Sequence, residues 1–198
     1  MSENIDKIIY INLKKREDKK TYIENQLNKF ELEYERFDAI EYPTQGNVGC
    51  SLSHLAVLKL AKERGYKNIL ILEDDFTFNV SKNEFENNLK QFFDLELHYN
   101  VCMFYYDQAA ELHHTEFPFI NRIKQSNYTV GYLVNNNYYD HLIQIIEESI
   151  PKLIETKAHW NYAIDTCWRE LQRKDIWYGF RPMISTHAYF ESDCTDGF

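Results

Sequence analysis

The chain has 198 residues, enough for one domain with a sizeable core. Hydrophobic residues make up 44% and aromatic residues 16%, which excludes a disordered chain, and six glycines and four prolines exclude a collagen-like or linker-like one. A net charge of −9 argues against nucleic acid as a partner, because phosphate neutralisation needs a basic surface; a phosphorylated small molecule held through a divalent cation stays compatible.

The chain enters its first element without an apolar leader. "MSENIDKII" runs directly into "KIIYINL", a short apolar run that reads as a buried strand, and no run approaches a membrane span. The expectation is a soluble, cytoplasmic protein with no transmembrane segment. "KKREDKKTYIENQLNKF" follows as a charged helix with Ile23, Leu27 and Phe30 on one face. "YERFDAI" reads as a second strand, and "YPTQGNVG" as a loop marked by Pro43, Gly46 and Gly49. A helix is expected from about Ser51, its N-cap, to Arg64, with Gly65 at its end. "NILILEDD" is the third strand, its continuous aliphatic run indicating burial on both faces.

Beyond it, a helix from about Ser81 carries Phe85, Leu89, Phe92 and Phe93 at helical spacing. "VCMFYYD" reads as a strand, "QAAELHHTEFPFINRIKQSN" as a long connection without period, and "YTVGYLVN" as another strand. A helix with Tyr139, Leu142, Ile143, Ile146 and Ile150 on one stripe is expected to close at Pro151. A further helix from Ala158 to Gln172 carries Trp160, Ile164, Cys167, Trp168 and Leu171, and "IWYGFRPMIS" is a final strand with a turn. Strand–helix alternation predicts an α/β fold with a mainly parallel sheet, whose ligands gather outside the carboxyl ends of the strands.

Glu73, Asp74 and Asp75 stand at such an end. Three adjacent carboxylates repel one another, so either a cation gathers them or they form a solvated strand end. Alternation points Glu73 and Asp75 the same way, a pair of oxygens suited to Mn²⁺ or Mg²⁺. Ser53 and His54 lie near the start of the glycine-led helix, where free amides favour an anion. Asn12 ends the first strand, and Arg16 and Lys19 open the next helix, where they could meet a nucleotide. Asp165 lies beside an apolar stripe, and partial burial there suits a base. His187 and Asp193 in "ISTHAYFESDC" are candidate late ligands. The four cysteines, Cys50, Cys102, Cys167 and Cys194, show no C-x-x-C spacing and read as reduced thiols.

Taken together, "YINLKKREDKK", "GNVGCSLSHLAVLKLAKERGYKNILILEDDF", "YTVGYLVNNNYYDHL" and "IDTCWRELQRKDIWYGFRPMIS" resemble glycosyltransferase family 25 in order and spacing, over about Lys7 to Asp193. The resemblance implies a GT-A type, Rossmann-like α/β fold in a single domain over residues 1–198. Its donor-binding part would run roughly 5–107 and its acceptor and catalytic part roughly 108–198. It implies an inverting transfer of a sugar, most often galactose, from a UDP-sugar donor to a hydroxyl acceptor on a glycan or a collagen-like protein. Glu73, Asp74 and Asp75 would then hold Mn²⁺ (or Mg²⁺) as the family's version of D-x-D, with His187 as a late metal ligand. Asn12 and Arg16 would lie by the nucleotide, Ser53 and His54 by the donor pocket, and Asp165 would be the base. Lys19 stands where many members carry a second Arg, and His187 where Gln is common. The alternatives are a non-catalytic nucleotide-sugar-binding or scaffold member and, outside the family, a metal-dependent phosphohydrolase; the latter lacks the usual nucleophilic D-x-D because position 73 is Glu.

Overall fold

A computed structural model describes residues 4–194. An eight-stranded sheet is covered by helices on both faces. Its strands are β1 (Lys7–Asn12), β2 (Glu35–Asp38), β3 (Asn68–Glu73), β5 (Val101–Met103), β6 (Glu111–His114), β7 (Ile120–Gln125), β8 (Gly131–Asn135) and β9 (Trp177–Phe180). A separate two-stranded ribbon joins β4 (Phe76–Phe78) to β10 (Ser185–His187). The helices are α1 (Glu17–Lys29), α2 (Gly46–Glu63), α3 (Lys82–Asp94), α4 (Tyr139–Thr156) and the short α5 (His159–Tyr162), α6 (Ile164–Cys167) and α7 (Arg169–Lys174).

The sheet order is β2-β1-β3-β8-β5-β9-β7-β6. Pairing is parallel at β1/β2, β1/β3 and β5/β9 and antiparallel around β8 and β7, so β8 and β7 run against the other strands. The expected α/β architecture is therefore present: six of the eight strands run in one direction, and an antiparallel strand lies at the centre of the sheet. Burial on both faces explains the unbroken aliphatic runs. Ile9, Ile11, Ile69 and Ile71 pack under α2 and α4, whereas Ile8, Tyr10, Leu70 and Leu72 pack under α1 and α3. Gly131 of β8 lets Phe76 close over the sheet: a Cβ there would stand 2.6 Å from the Phe76 ring.

Several local expectations change. Helix α2 begins at Gly46, so Ser51 is inside it and donates to the Asn47 carbonyl at 2.9 Å instead of capping. Gly46 and Gly49 serve close approach within the helix: a Cβ on the first would overlap the Asp193 carbonyl oxygen, and one on the second would stand 2.5 Å from that of Ile40. Gly65 follows the helix with φ 68°. Pro151 lies within α4, which continues to Thr156; burial of Ile150 and Leu153 on either side outweighs one lost ladder bond. The expected helix over 158–172 is three short helices broken by an extended Ala163, which leaves Trp160 60% exposed. The aperiodic connection contains the β6–β7 hairpin, whose register shifts at Glu111/Leu112, and this irregularity hides its alternation.

Candidate functional site

The parallel alignment of β1 and β3 brings their carboxyl ends together. Ile11 pairs with Glu73, so Asn12 reaches Asp74: its Nδ2 donates to Asp74 Oδ2 at 2.8 Å and to the Arg16 carbonyl at 3.0 Å. Asn12 Oδ1 accepts from Arg36 Nε at 3.0 Å. Asn12 is thus a buried fastener of Asp74 and lines neither cleft described below.

Glu73 lies beside β8, where its amide donates to the Val130 carbonyl at 2.9 Å. Its Oε1 accepts from the Thr129 hydroxyl and from His54 Nε2, the latter at 3.2 Å. A carboxylate only accepts, so a neutral His54 carries its proton on Nε2 and receives the Tyr132 hydroxyl at Nδ1, 2.8 Å away. Burial alone would raise the Glu73 carboxyl; the bonds from His54 and Thr129 hold it below its ordinary value. The Cys50 thiol stands one helical turn before His54. Its sulfur, a His54 ring nitrogen and a Glu73 oxygen lie within 4.8 Å of one another, a triad that could hold a metal ion. Bonding to the Cys194 thiol, then burial, keeps the Cys50 thiol well above its ordinary value.

Asp75 differs from its neighbours. Its Oδ1 is buried with no hydrogen-bond partner. Burial first, then repulsion from Glu73, pushes its carboxyl up to about 7. Burial also raises Asp74, against Lys19 and Asn12. The nearest cation is the buried Lys19, whose Nζ lies 3.5 Å from Asp74 and 3.6 Å from Asp193. Burial opposes its ammonium form, but Asp74 and Asp75 outweigh that and raise its pKa.

Two clefts meet at this strand end. The first, about 480 Å³, lies between the segment after β2 and the start of α2, lined by Lys15, Tyr42, Ser53, His54, Glu73 and Asp74 among others. The second, about 300 Å³, is lined by Tyr128, Thr129, Asp165, His187 and Tyr189. Lys19, Cys50, Glu73, Asp75, Ser192 and Cys194 line both. Ser53 fastens the first wall: its hydroxyl accepts from the Ile40 amide at 2.8 Å and donates to the Gly49 carbonyl at 2.7 Å. Arg16 lines neither cleft; it grips Asp18, Asp193 and the Glu191 carbonyl, holding the last described residues beside Lys19.

Asp165 opens α6 in the second cleft, and its Oδ2 accepts from the Tyr128 amide at 3.3 Å. Burial raises its pKa, and Glu73 adds to the rise. The ribbon brings His187 opposite Phe76, and the Ala188 amide donates to the Asp75 carbonyl at 2.8 Å. Glu73, Asp75, Asp165 and His187 thus share one cleft, with Ser53, His54 and Asp74 on the other side. Sequence reasoning missed Cys50, Tyr128, Thr129 and Tyr132 as site residues. The i, i+4 spacing of Cys50 and His54 was a signal for the first; β3/β8 pairing sets Tyr132 opposite Ile71 and brings Thr129, just ahead of β8, to Glu73, a placement no local pattern encodes.

Comparison with known proteins follows this geometry. The family model described as glycosyltransferase family 25 (LPS biosynthesis protein) matches residues 42–168. No curated protein matches significantly. Among solved structures, A197 from STIV is similar at TM-score 0.52 and 12% identity, covering 94% of this chain and 86% of that one, which shows the fold alone. A glycosyltransferase involved in the glycosylation of the major capsid of PBCV-1 aligns at TM-score 0.47 and 13% identity, covering 88% and 91% of the two chains. Mannose-1-phosphate geranyltransferase from Thermus thermophilus aligns at TM-score 0.48 and 8% identity, covering 87% of this chain and 58% of that one.

Proposed function

Because the chain belongs to glycosyltransferase family 25, we propose that it moves a sugar, galactose, from a UDP-sugar in the first cleft to an acceptor hydroxyl in the second, with inversion. The observation that carries this reading is the shared edge of the clefts. Glu73 and Asp75 face both, and Asp75 offers a buried oxygen with no partner. A divalent ion fits there. Asn12 and Lys19 engage both oxygens of Asp74, whereas the bonds to Glu73 from His54 and Thr129 both fall on Oε1 and Asp75 Oδ1 has none, so Glu73 and Asp75 are the pair for Mn²⁺ or Mg²⁺, which prefer oxygen donors; the sulfur and nitrogen of Cys50 and His54 suit a softer metal. His187 is kept as a further metal ligand. Bound there, the ion would supply charge against the leaving diphosphate.

The protein's own groups supply the rest. The Lys19 ammonium faces both clefts and offsets negative charge on the diphosphate. Ser53 and His54 fix the donor wall, while Asn12 and Arg16 act behind it by holding Asp74 and the 191–193 segment. Asp165, with its raised pKa, takes the proton of the acceptor hydroxyl. One in-line displacement between donor and acceptor sides inverts the anomeric centre. No helix among the described residues is long and apolar enough to cross a membrane.

The test is transfer or hydrolysis across a panel of UDP-sugars with and without Mn²⁺. Turnover of one UDP-sugar that depends on the metal and is lost in Asp75→Ala is expected. A folded Asp75→Ala with full activity overturns the metal assignment. UDP binding in calorimetry without turnover on a broad acceptor panel supports the non-catalytic alternative.

A further inference from the structure

We infer that Cys50, His54 and Glu73 form a site for a thiophilic divalent cation, Zn²⁺ by its donor set, and that an ion there excludes the hard cation from Glu73 and Asp75. The site stands on its own geometry; the exclusion rests on the metal pair of the proposed transferase.

Three donors from two elements converge. Cys50 and His54 share a face of α2, and Glu73 ends β3. The Cys50 sulfur, a His54 ring nitrogen and a Glu73 oxygen lie within 4.8 Å of one another. His54 Nε2 is already 3.2 Å from Glu73 Oε1. Neighbouring donors around a tetrahedral zinc ion stand roughly 3.5 Å apart.

The surroundings hold these donors as a metal requires. A ligating imidazole needs its second ring nitrogen fixed by a partner. His54 is fully buried, and the Tyr132 hydroxyl sits 2.8 Å from its Nδ1. That hydroxyl donates to Nδ1 while Nε2 carries the proton. It accepts once the proton moves to Nδ1 and Nε2 takes the ion, so both tautomers keep their partner. The Thr129 hydroxyl and the bond from the Glu73 amide to the Val130 carbonyl fix the carboxylate. The Cys50 thiol proton leaves to solvent as the sulfur binds. One thiolate, one carboxylate and a neutral imidazole then cancel the charge of a divalent ion, which suits a partly buried setting.

The donor set decides which ion. Thiolate and imidazole favour Zn²⁺, whereas Mn²⁺ and Mg²⁺ take oxygen donors. Cys50 and Glu73 line both clefts, which gives the ion an entry path. Each lining holds more carboxylates than lysines, a potential that draws a cation in. The Cys194 thiol bonds to that of Cys50 but lies outside the triad, so three protein ligands leave the fourth tetrahedral position open. Glu73 is common to both metal arrangements. Drawn onto zinc with Cys50 and His54, it is withdrawn from Asp75, and the zinc-bound protein is an off-state of the hard-metal site.

Co²⁺, used on the whole chain reduced with a phosphine, is the spectroscopic probe. Wild type should show a sulfur-to-cobalt charge-transfer band and the intense visible absorption of four-coordinate Co²⁺, and Zn²⁺ should abolish both. Cys50→Ser should lose the charge-transfer band. Cys50→Ser and His54→Asn should each weaken Zn²⁺ binding, read by competition with a chromophoric chelator, by more than the roughly 10–100-fold that loss of an outer-shell partner costs. Tyr132→Phe should weaken it about tenfold. Cys50→Ser is near-isosteric at a half-buried position, so the test holds if the buried His54→Asn fails to fold. No charge-transfer band in wild type overturns the site. So does a loss in Cys194→Ser equal to that in Cys50→Ser with none in His54→Asn, which would place the ion on the two thiols. Bound Mn²⁺, read by electron paramagnetic resonance, should be released by Zn²⁺ in wild type and retained in Cys50→Ser. Retention in both overturns the exclusion. Failure of Mn²⁺ to bind at all removes the exclusion together with the hard-metal pair, while the cobalt spectra still decide the zinc site.

Discussion

Gln172 offers a test that links the fold to the site. It is fully buried on α7, and its amide makes two bonds to one residue of the neighbouring loop, accepting from the Ser126 amide and donating to the Ser126 carbonyl. Gln172→Leu keeps the approximate shape and strands both backbone groups in a dry setting. Each buried orphan costs about 1–3 kcal/mol. The added apolar burial of Leu returns about 1–2 kcal/mol. Two orphans less the Leu return leave a net loss centred on about 2–3 kcal/mol, and at roughly 2–4 °C per kcal/mol for a chain of this size Tm should fall by about 4–12 °C. Because the loop carries Tyr128 and, through it, Asp165, glycosyl transfer should drop by more than the loss of folded protein explains. Chemical denaturation with the slope m checked for constancy, paired with thermal scans and with turnover measured well below the variant's Tm, reads both effects. A loss under about 1 kcal/mol would refute the clamp, because it would mean that water or relaxed geometry already satisfies Ser126.

Asp165→Asn should lower turnover by about 10²–10⁴-fold if this carboxylate is the base. In the wild type, turnover should rise with pH through the raised pKa of Asp165, since only the ionised form accepts a proton. Stability runs the opposite way. The folded pKa lies above the unfolded one, so this group's contribution is fully present below the unfolded carboxylate range and is lost as pH rises through the folded value. Asp165→Asn should therefore gain Tm over wild type at neutral pH and lose that gain in acid; an equal gain at both pH values would contradict burial as the cause. Ser81→Ala removes a capping box in which Ser81 and Glu84 bond each other's amides, and should cost about 1 kcal/mol by denaturant titration with activity retained. Gly131→Ala forces a Cβ against the Phe76 ring and should cost about 1–3 kcal/mol; a neutral effect would show that the ring can shift.

The central strands were legible because a doubly buried strand needs an unbroken aliphatic run. "KIIYIN" and "NILILE" both show one, and the structure divides their residues between the two faces. The helix over 82–94 was legible because its apolar stripe and its Ser81 cap agree. Legibility failed where long-range packing overrode local signals. Gly46 and Gly49 resemble loop residues, but they lie within α2, and glycine stands there because Asp193 and Ile40 leave no space for a Cβ. Strands β4 and β10 are three residues each and exist through each other, so neither carries a pattern of its own. At the site, the sequence displayed the acidic run but not the division of labour within it. Whether a carboxylate is partnered depends on Asn12, His54 and Thr129, which reach it from β1, from α2 and from the segment ahead of β8.

Strand β8 has a kinetic consequence. It sits between β3 and β5, although the chain completes both of those, and then the β6–β7 hairpin, before β8 is made. Until it inserts, two of the most apolar edges in the molecule have no partner on that side, an arrangement that invites pairing with another chain. The late pairing of β3 with β8 also raises contact order, which slows folding. Thr129 reaches Glu73 on the segment leading into β8, and the Tyr132 hydroxyl reaches His54 from β8 itself. Strand β8 is therefore the one that completes the polar lattice around the carboxylates, and binding competence at this site reports that β8 has inserted between β3 and β5.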